Sequence, residues 1–359
     1  MKKNLHGFVA RAVSNVCAVA LITMSVVFAV TTPVSCKITE SGMEVETGDA
    51  EVPRITDFSI ASSSYATLAC SKAFSLSDLA LLRNDDGDRL AIGEAAVSFD
   101  ESRTRANIAF PTETVIGKSY TLLGVVSDMS GNSLKFSKDF IGYNDNKARI
   151  ILREVRPSYN NPAKKSAFLE FYALTGGNLV GTEVQFGYNN AAYSFPSVTV
   201  QKGETIVLHL KSYGGEADGY VNELDDNLAR ASAVETSEKV RDLWVPEDKT
   251  YLSGTSDVIA VVDVYKNVAT DGILYIGESG KSWSRNSQKS LAAFLMNSGV
   301  WASDSPESAV VTGMSSSATG KSIQRNNFSA LVSSFSEHIP DCFSSSKSNW
   351  SISTSSVGE

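Results

Sequence analysis

The sequence predicts a mainly β protein built as two β-sandwich domains, the second decorated by helical insertions. Three observations predict it. Short apolar runs alternate with polar residues at period two, as in Ala106-Asn107-Ile108-Ala109-Phe110. Turn formers such as Asn84-Asp85-Asp86-Gly87 and Met129-Ser130-Gly131-Asn132 separate these runs at short intervals, which is the pattern of a sandwich. The chain has 359 residues, and once a leader is removed it still exceeds one comfortable hydrophobic core.

The leader comes first in the chain. Lys2, Lys3 and Arg11 make a basic head, and Val16 to Val30 is uncharged and almost wholly apolar. Each CH₂ of such a segment gains about 0.8 kcal/mol on leaving water. The run is shorter than the ~20 residues a spanning helix needs. Residues 1–35 therefore read as a signal peptide. Pro33-Val34-Ser35-Cys36 ends it with small residues before a cysteine. This resembles a bacterial lipobox, and the resemblance implies that Cys36 becomes the acylated first residue of an exported lipoprotein, carrying palmitate-like chains. Two or more acyl chains hold a protein stably where one binds only reversibly. Residues 36–52 then read as an acidic, solvated, lipidated tether.

Residues 53–144 are expected to form the first β domain. Strands are expected at Ile55–Ile60, Thr67–Ala69, Val97–Phe99, Ala106–Phe110, Tyr120–Val126 and Leu134–Phe136. Ser75 or Ser77 suits the cap of one short helical turn ending near Leu82. Asn84, Asp86 and Asp88 alternate as in half a calcium loop. Arg89 and Ala95, however, stand where such a loop needs Gly and a bidentate Glu, so an acidic hairpin turn is expected.

Residues 146–356 are expected to form the second domain. Ala148–Val155, Ala167–Tyr172, Thr182–Phe186, Ala192–Phe195, Thr205–Leu210, Asp257–Val264 and Gly272–Ile276 read as strands. Insertions are expected at about 212–245 and 326–346. The first carries weak helical spacing through Leu224, Leu228 and Ala231. The clearest helix is 287–300, with Leu291, Phe294, Leu295 and Met296 on one stripe, Ser287 at its start and Gly299 at its stop.

Several motifs in this region are similar to those of the lamin-tail (LTD) domain, an immunoglobulin-like β-sandwich. They are Arg153-Glu154-Val155-Arg156-Pro157, the Phe168-x-Glu170-Phe171-Tyr172 pattern, Leu179-Val180-Gly181, the Lys202-Gly203-Glu204 turn and Asp257. The closing Ser-rich run with Arg325 and Asn349-Trp350 completes the series. The first domain resembles bacterial immunoglobulin-like modules through Tyr120-Thr121-Leu122 and Asp128-Met129-Ser130-Gly131-Asn132. Both resemblances imply an extracytoplasmic structural or binding module, without catalysis.

The chemistry-bearing residues fit that expectation. Net charge is −8, and residues 1–35 hold three basic and no acidic residues, so the exported part is more acidic still. An acidic body without a basic stripe disfavours nucleic acid. Gly277-Glu278-Ser279-Gly280-Lys281-Ser282 lacks the spacing of a phosphate loop, so no nucleotide is expected. His6 lies in the leader, His209 reads as a surface-facing strand residue, and His338 sits in the Ser-rich tail near Glu337 and Asp341. Two histidines do not make a zinc site. Cys70 reads as a buried thiol and Cys342 as a loop thiol; a bridge between them is the less favoured reading.

Glu154 and Glu170 lie on successive strands and are expected to become neighbours. They are expected to pair with Arg153, Arg156 or a backbone N–H. Binding of a cation, or shared-proton acid/base chemistry, is the alternative. No cofactor or metal is expected. The expected partners are a membrane, reached through the N-terminal lipid anchor, and a protein or glycan that the sequence does not name. The expected location is the outer membrane or cell surface, or a position facing the periplasm. The competing readings are an exported metal- or carboxylate-dependent hydrolase and a periplasmic accessory subunit of a secretion or transport assembly.

Overall fold

The computed structural model describes residues 51–315, 318–336 and 338–358, and the backbone of 35–39 and 42–46. The signal-peptide reading therefore lies outside the described residues, as does the side chain of Cys36. Across the expected boundary between leader and tether, Ser35–Thr39 and Gly42–Glu46 pair as an antiparallel ribbon.

The protein is mainly β. Residues 55–141 form two four-stranded antiparallel sheets. One runs in the order Ile55–Ser62, Tyr65–Cys70, Arg105–Ala109, Val97–Phe99. The other runs Ser133–Ile141, Ser119–Ser127, Ser75–Arg83, Arg89–Ala91. Alternation does its expected work: Ala106 and Ile108 point inward between exposed neighbours. They pack with Leu68, Phe74, Leu81, Leu122 and Phe136 in one core. The acidic segment after Arg83 is a hairpin turn, with Leu82 opposite Arg89 and Gly87 in the left-handed region at φ +73°.

The helical turn expected after Ser75 is not formed. Ser75–Arg83 is a strand paired with Ser119–Ser127. Four consecutive apolar residues, Leu79 to Leu82, suit a buried strand as well as a helix, and the neighbouring strand decides the matter. The register breaks between Ser77 and Ala80, where Asp78 adopts φ +51°.

The second unit sandwiches a six-stranded and a five-stranded sheet. The six-stranded order is Arg241–Trp244, Thr205–His209, Phe168–Ala173, Ile150–Arg156, Lys321–Arg325, Trp350–Thr354. The five-stranded order is Ala191–Ser194, Thr182–Phe186, Asp257–Asp263, Val268–Ile276, Val310–Val311. Leu152, Leu169, Phe171, Ile206 and Leu208 from the first meet Val184, Ile259, Val261 and Ile273 from the second. Every residue of Asp257–Asp263 is buried, as expected of a strand covered on both faces.

The helix is Asn286–Asn297. Leu291, Ala292 and Leu295 are its buried apolar residues, and Gly299 ends it at φ +75°. Ser287 lies inside the first turn, and its hydroxyl donates to the carbonyl of Gly187. The helix lies close over Gly272, where a Cβ would sit 2.6 Å from a Leu295 methyl carbon.

The insertion at 212–245 differs from expectation. It holds one 3-10 turn, Glu216–Asp218, and then adds the edge strand Arg241–Trp244 parallel to Thr205–His209. The helix through Leu224, Leu228 and Ala231 fails for a local reason. Asp225 accepts from the Asn227 amide and Asn227 from the Ala229 amide, both at two-residue spacing, and such turns compete with helical bonding. The later insertion does form a helix, Phe328–Ser334. With Phe335, Ile339 and Phe343 it packs over Ile151 and Leu174 as a small satellite core.

Candidate functional site

Glu154 and Glu170 are direct cross-strand partners, opposite one another in register. Both are buried. Their side chains leave the sheet on the face turned away from the main core, and the last described residues of the chain run across them. Glu154 accepts from the amide and hydroxyl of Ser356, the hydroxyl of Ser355 and the amide of Gln324. Glu170 accepts from the Gly358 amide at 2.7 Å and pairs with Arg153 at 3.0 Å. The expected pairing with Arg153 and a backbone N–H is present. Arg156 instead bonds the Ser166 carbonyl and Glu235, above the ring of Phe168.

Burial pushes the Glu170 carboxyl up to about 7, and Glu154 adds to the rise while Gly358 and Arg153 oppose it. A carboxyl raised above its unfolded value stabilises the fold in its protonated form. That contribution is complete below about 4.5 and is lost as pH rises through about 7. Stability should therefore fall between pH 5 and 8, and Glu170→Gln should flatten the profile. Urea unfolding at the two pH values checks this; an unchanged slope in the variant would refute it.

His209 is not on the surface. It is fully buried, with Nε2 2.7 Å from Asp242 and its ring stacked 3.9 Å from Trp244. The parallel edge strand brings both partners to it. Asp242 also accepts from the Ser237 amide, and its own amide donates to Glu223. This cluster ties the 212–245 insertion to the sheet. His338 is exposed in the tail, and its expected neighbour Glu337 lies outside the described residues. Cys70 and Cys342 are free thiols. Burial pushes Cys70 up to about 11. Among the described residues no group of three or more His, Cys, Asp or Glu side chains could hold a metal.

The open site lies where the two sandwich units meet. The turn after Asp257–Asp263 carries Tyr265 into the core of the first unit. Its hydroxyl donates to the Gly142 carbonyl at 2.8 Å, and its ring lies 4.6 Å from that of Tyr143. Asn144, buried in the connecting segment, donates to the carbonyls of Asn178 and Val180. Lys147 pairs with Asp263. Burial lowers the Lys147 pKa, and Asp263 opposes the change.

Beside this joint runs a cleft of about 800 Å³, lined by residues from 57–61, 143–150, 262–270, Thr182, Ser298, Asp341 and Cys342. A second groove of about 430 Å³, lined by Phe58, Phe140 and Glu183 among others, shares Ser59, Ile60 and Tyr265 with it. The lining of the cleft holds Asp57, Asp145, Asp263 and Asp341 against Lys147, Arg149 and Lys266, with no histidine. Neither Glu154 nor Glu170 reaches it. Sequence reading missed this site because its walls come from segments far apart in the chain. The Tyr-bearing turn Tyr265-Lys266-Asn267 was its one local trace.

The fold and the joint define a two-unit β-sandwich protein with a cleft between the units. Residues 148–352 match the family TP_1001_2nd, described as a protein second domain. The match covers more than half of the chain, and the chain belongs to that family. Over 219 residues it is 26% identical to an uncharacterized protein of Treponema pallidum (strain Nichols), covering 57% of this chain and 54% of that protein. The chain thus spans about half the length of that curated relative. Among solved structures it is similar to a DUF4876 family protein from Bacteroides thetaiotaomicron, with TM-score 0.28 and 9% identity over 70% of this chain and 82% of that one. It is also similar to the N-terminal part of the bacterial S-layer protein SbsC, with TM-score 0.25 and 13% identity over 63% and 44%. Scores this low carry no weight for function.

Proposed function

We propose that this chain is a non-catalytic module of the cell envelope, held at a membrane through acyl chains on Cys36, that serves as a binding or structural piece on that surface. The observation that carries the reading is how the described buried charges are used. Arg325–Asp271, Arg156–Glu235, Arg241–Glu204 and His209–Asp242 each join separate strands or loops. The carboxylate pair Glu154 and Glu170 is closed over by the chain end rather than open to a substrate. Support for export comes from the basic head and the short apolar run before Pro33-Val34-Ser35-Cys36. The resemblance of the two units to immunoglobulin-like and lamin-tail modules belongs to the same proposal.

Intact-mass analysis of the membrane fraction tests it. The expected result is a chain beginning at Cys36 with added acyl mass, and release of Cys36→Ala from that fraction. A membrane-bound chain of unmodified mass, retained equally by Cys36→Ala, would refute the anchor.

A further inference from the structure

We propose that the cleft at the joint binds a short stretch of uncharged oligosaccharide, with Tyr143 as its stacking platform and Asp145 and Lys266 as its hydrogen-bonding groups. This rests on the reading of the chain as a binding module and names the ligand class of that module.

The argument begins with which groups are committed. Tyr265 is fixed by its bond to Gly142, and its ring holds that of Tyr143 at a 49° tilt. Lys147 is held by Asp263, Asp57 faces Arg105 at 3.6 Å, and Arg149 bonds the Pro340 carbonyl. Of the charged groups and phenols in the lining, three remain without a hydrogen-bond or ion-pair partner among the described residues: the Tyr143 hydroxyl, the Asp145 carboxylate and the Lys266 ammonium. Asp145 and Lys266 are exposed, and Tyr143 is half-buried. Asp145 lies near enough to Tyr143 and Tyr265 to raise both phenols, behind burial as the main cause. Lys266 lies near enough to Lys147 to lower it. All three groups therefore border one space.

That set selects a ligand type. An aromatic face with an adjoining acceptor and donor matches a ring with C–H bonds on its face and hydroxyls on its edge, since pockets fix ligands by apolar walls and a few placed polar groups. Acidic and basic groups in near balance, four to three, favour neither an anion nor a cation. A net-charged ligand would meet a like charge beside each attractive one. The neighbouring groove extends the aromatic lining through Phe58 and Phe140, whose rings lie 6.0 Å apart. Two adjoining grooves fit a chain of sugar rings better than a single ring. A peptide strand is the less favoured occupant. It would add to the sheet edges Ile55–Ser62 and Ser133–Ile141, which border the two grooves, but it would leave the Tyr143 face and the Asp145 and Lys266 side chains unused, and a peptide control separates the two.

Calorimetric titration of the purified full chain with maltotriose, cellotriose and tri-N-acetylchitotriose tests the proposal, with trialanine as the peptide control. At least one sugar should saturate with Kd below about 1 mM. Tyr143→Ala should weaken it at least about tenfold, and Asp145→Asn about fivefold, as expected for loss of an aromatic anchor and of one polar contact. Tyr143→Phe should keep most of the affinity and reports that the fold is intact. Met129→Ala, on an exposed loop away from the cleft lining, should change nothing. No saturation by any of the three sugars would overturn the proposal. So would binding that survives Tyr143→Ala with an unchanged melting temperature, or binding of trialanine alone. None of these outcomes bears on the acylation of Cys36, which the mass measurement decides separately.

Discussion

Arg325→Ala should destabilise the protein by about 3–5 kcal/mol at pH 8, as removal of one partner from a buried ion pair does. The guanidinium is 3% exposed and grips both oxygens of Asp271, at 2.7 and 2.8 Å. Its Nε donates to the Leu152 carbonyl, and its plane lies 4.4 Å from the Trp350 ring. One side chain thus joins Ile150–Arg156 and Lys321–Arg325 of one sheet to Val268–Ile276 of the other. Alanine leaves Asp271 fully buried with only the Leu152 and Gly272 amides. Burial already raises that carboxyl, and Arg325 opposes the rise together with the Leu152 and Gly272 amides, so losing Arg325 raises it further.

The sign of the pH effect follows. A raised folded-state pKa gives stability at low pH that disappears as pH rises. The deficit of Arg325→Ala should therefore be larger at pH 8 than at pH 5. Arg325→Lys should lie between, because one ammonium cannot reach Asp271 and the Leu152 carbonyl at once, as the separate Nη2 and Nε of the guanidinium do. Chemical denaturation at both pH values measures this. A loss below about 1 kcal/mol at pH 8 would mean the pair behaves like a solvated surface bridge.

The two halves of this pair show where sequence reading stops. Arg325 stood out in the sequence as part of a closing motif, but Asp271 did not, because 54 residues separate the two. Period-two alternation was enough to place Arg105–Ala109, and a continuous apolar run placed Asp257–Asp263. Successive strands also made Glu154 and Glu170 foreseeable neighbours. What alternation cannot give is which distant strand becomes a neighbour. His209 looked outward because its parallel partner, Arg241–Trp244, sat inside a segment with helical spacing. Ser355 to Gly358 carry no motif or alternation, yet they supply donors to both glutamates. The cleft was illegible for the same reason: it exists only once the two units are set against each other.

That setting depends most on Tyr265, and Tyr265→Ala should separate the behaviour of the two units. Truncating a buried aromatic costs about 3–5 kcal/mol where the site cannot collapse, and this site is held from several directions. Gly181, at φ +89°, lies so close that a Cβ there would sit 2.1 Å from the ring. Tyr143 closes another side, and the hydroxyl reaches Gly142. Because the ring belongs to the second unit but packs in the core of the first, its loss acts on their contact. Neither unit loses its own strand pairing. The expected result is a broader unfolding transition that departs from two-state form, faster amide exchange at 142–146, and a larger maximum dimension in solution scattering. Tyr265→Phe keeps the ring and loses one hydrogen bond, worth about 1 kcal/mol, so its scattering should match the parent protein. A Tyr265→Ala variant with parental scattering and exchange would show that Asn144 and the Lys147–Asp263 pair hold the joint without the ring. The cleft would then keep its shape by other means.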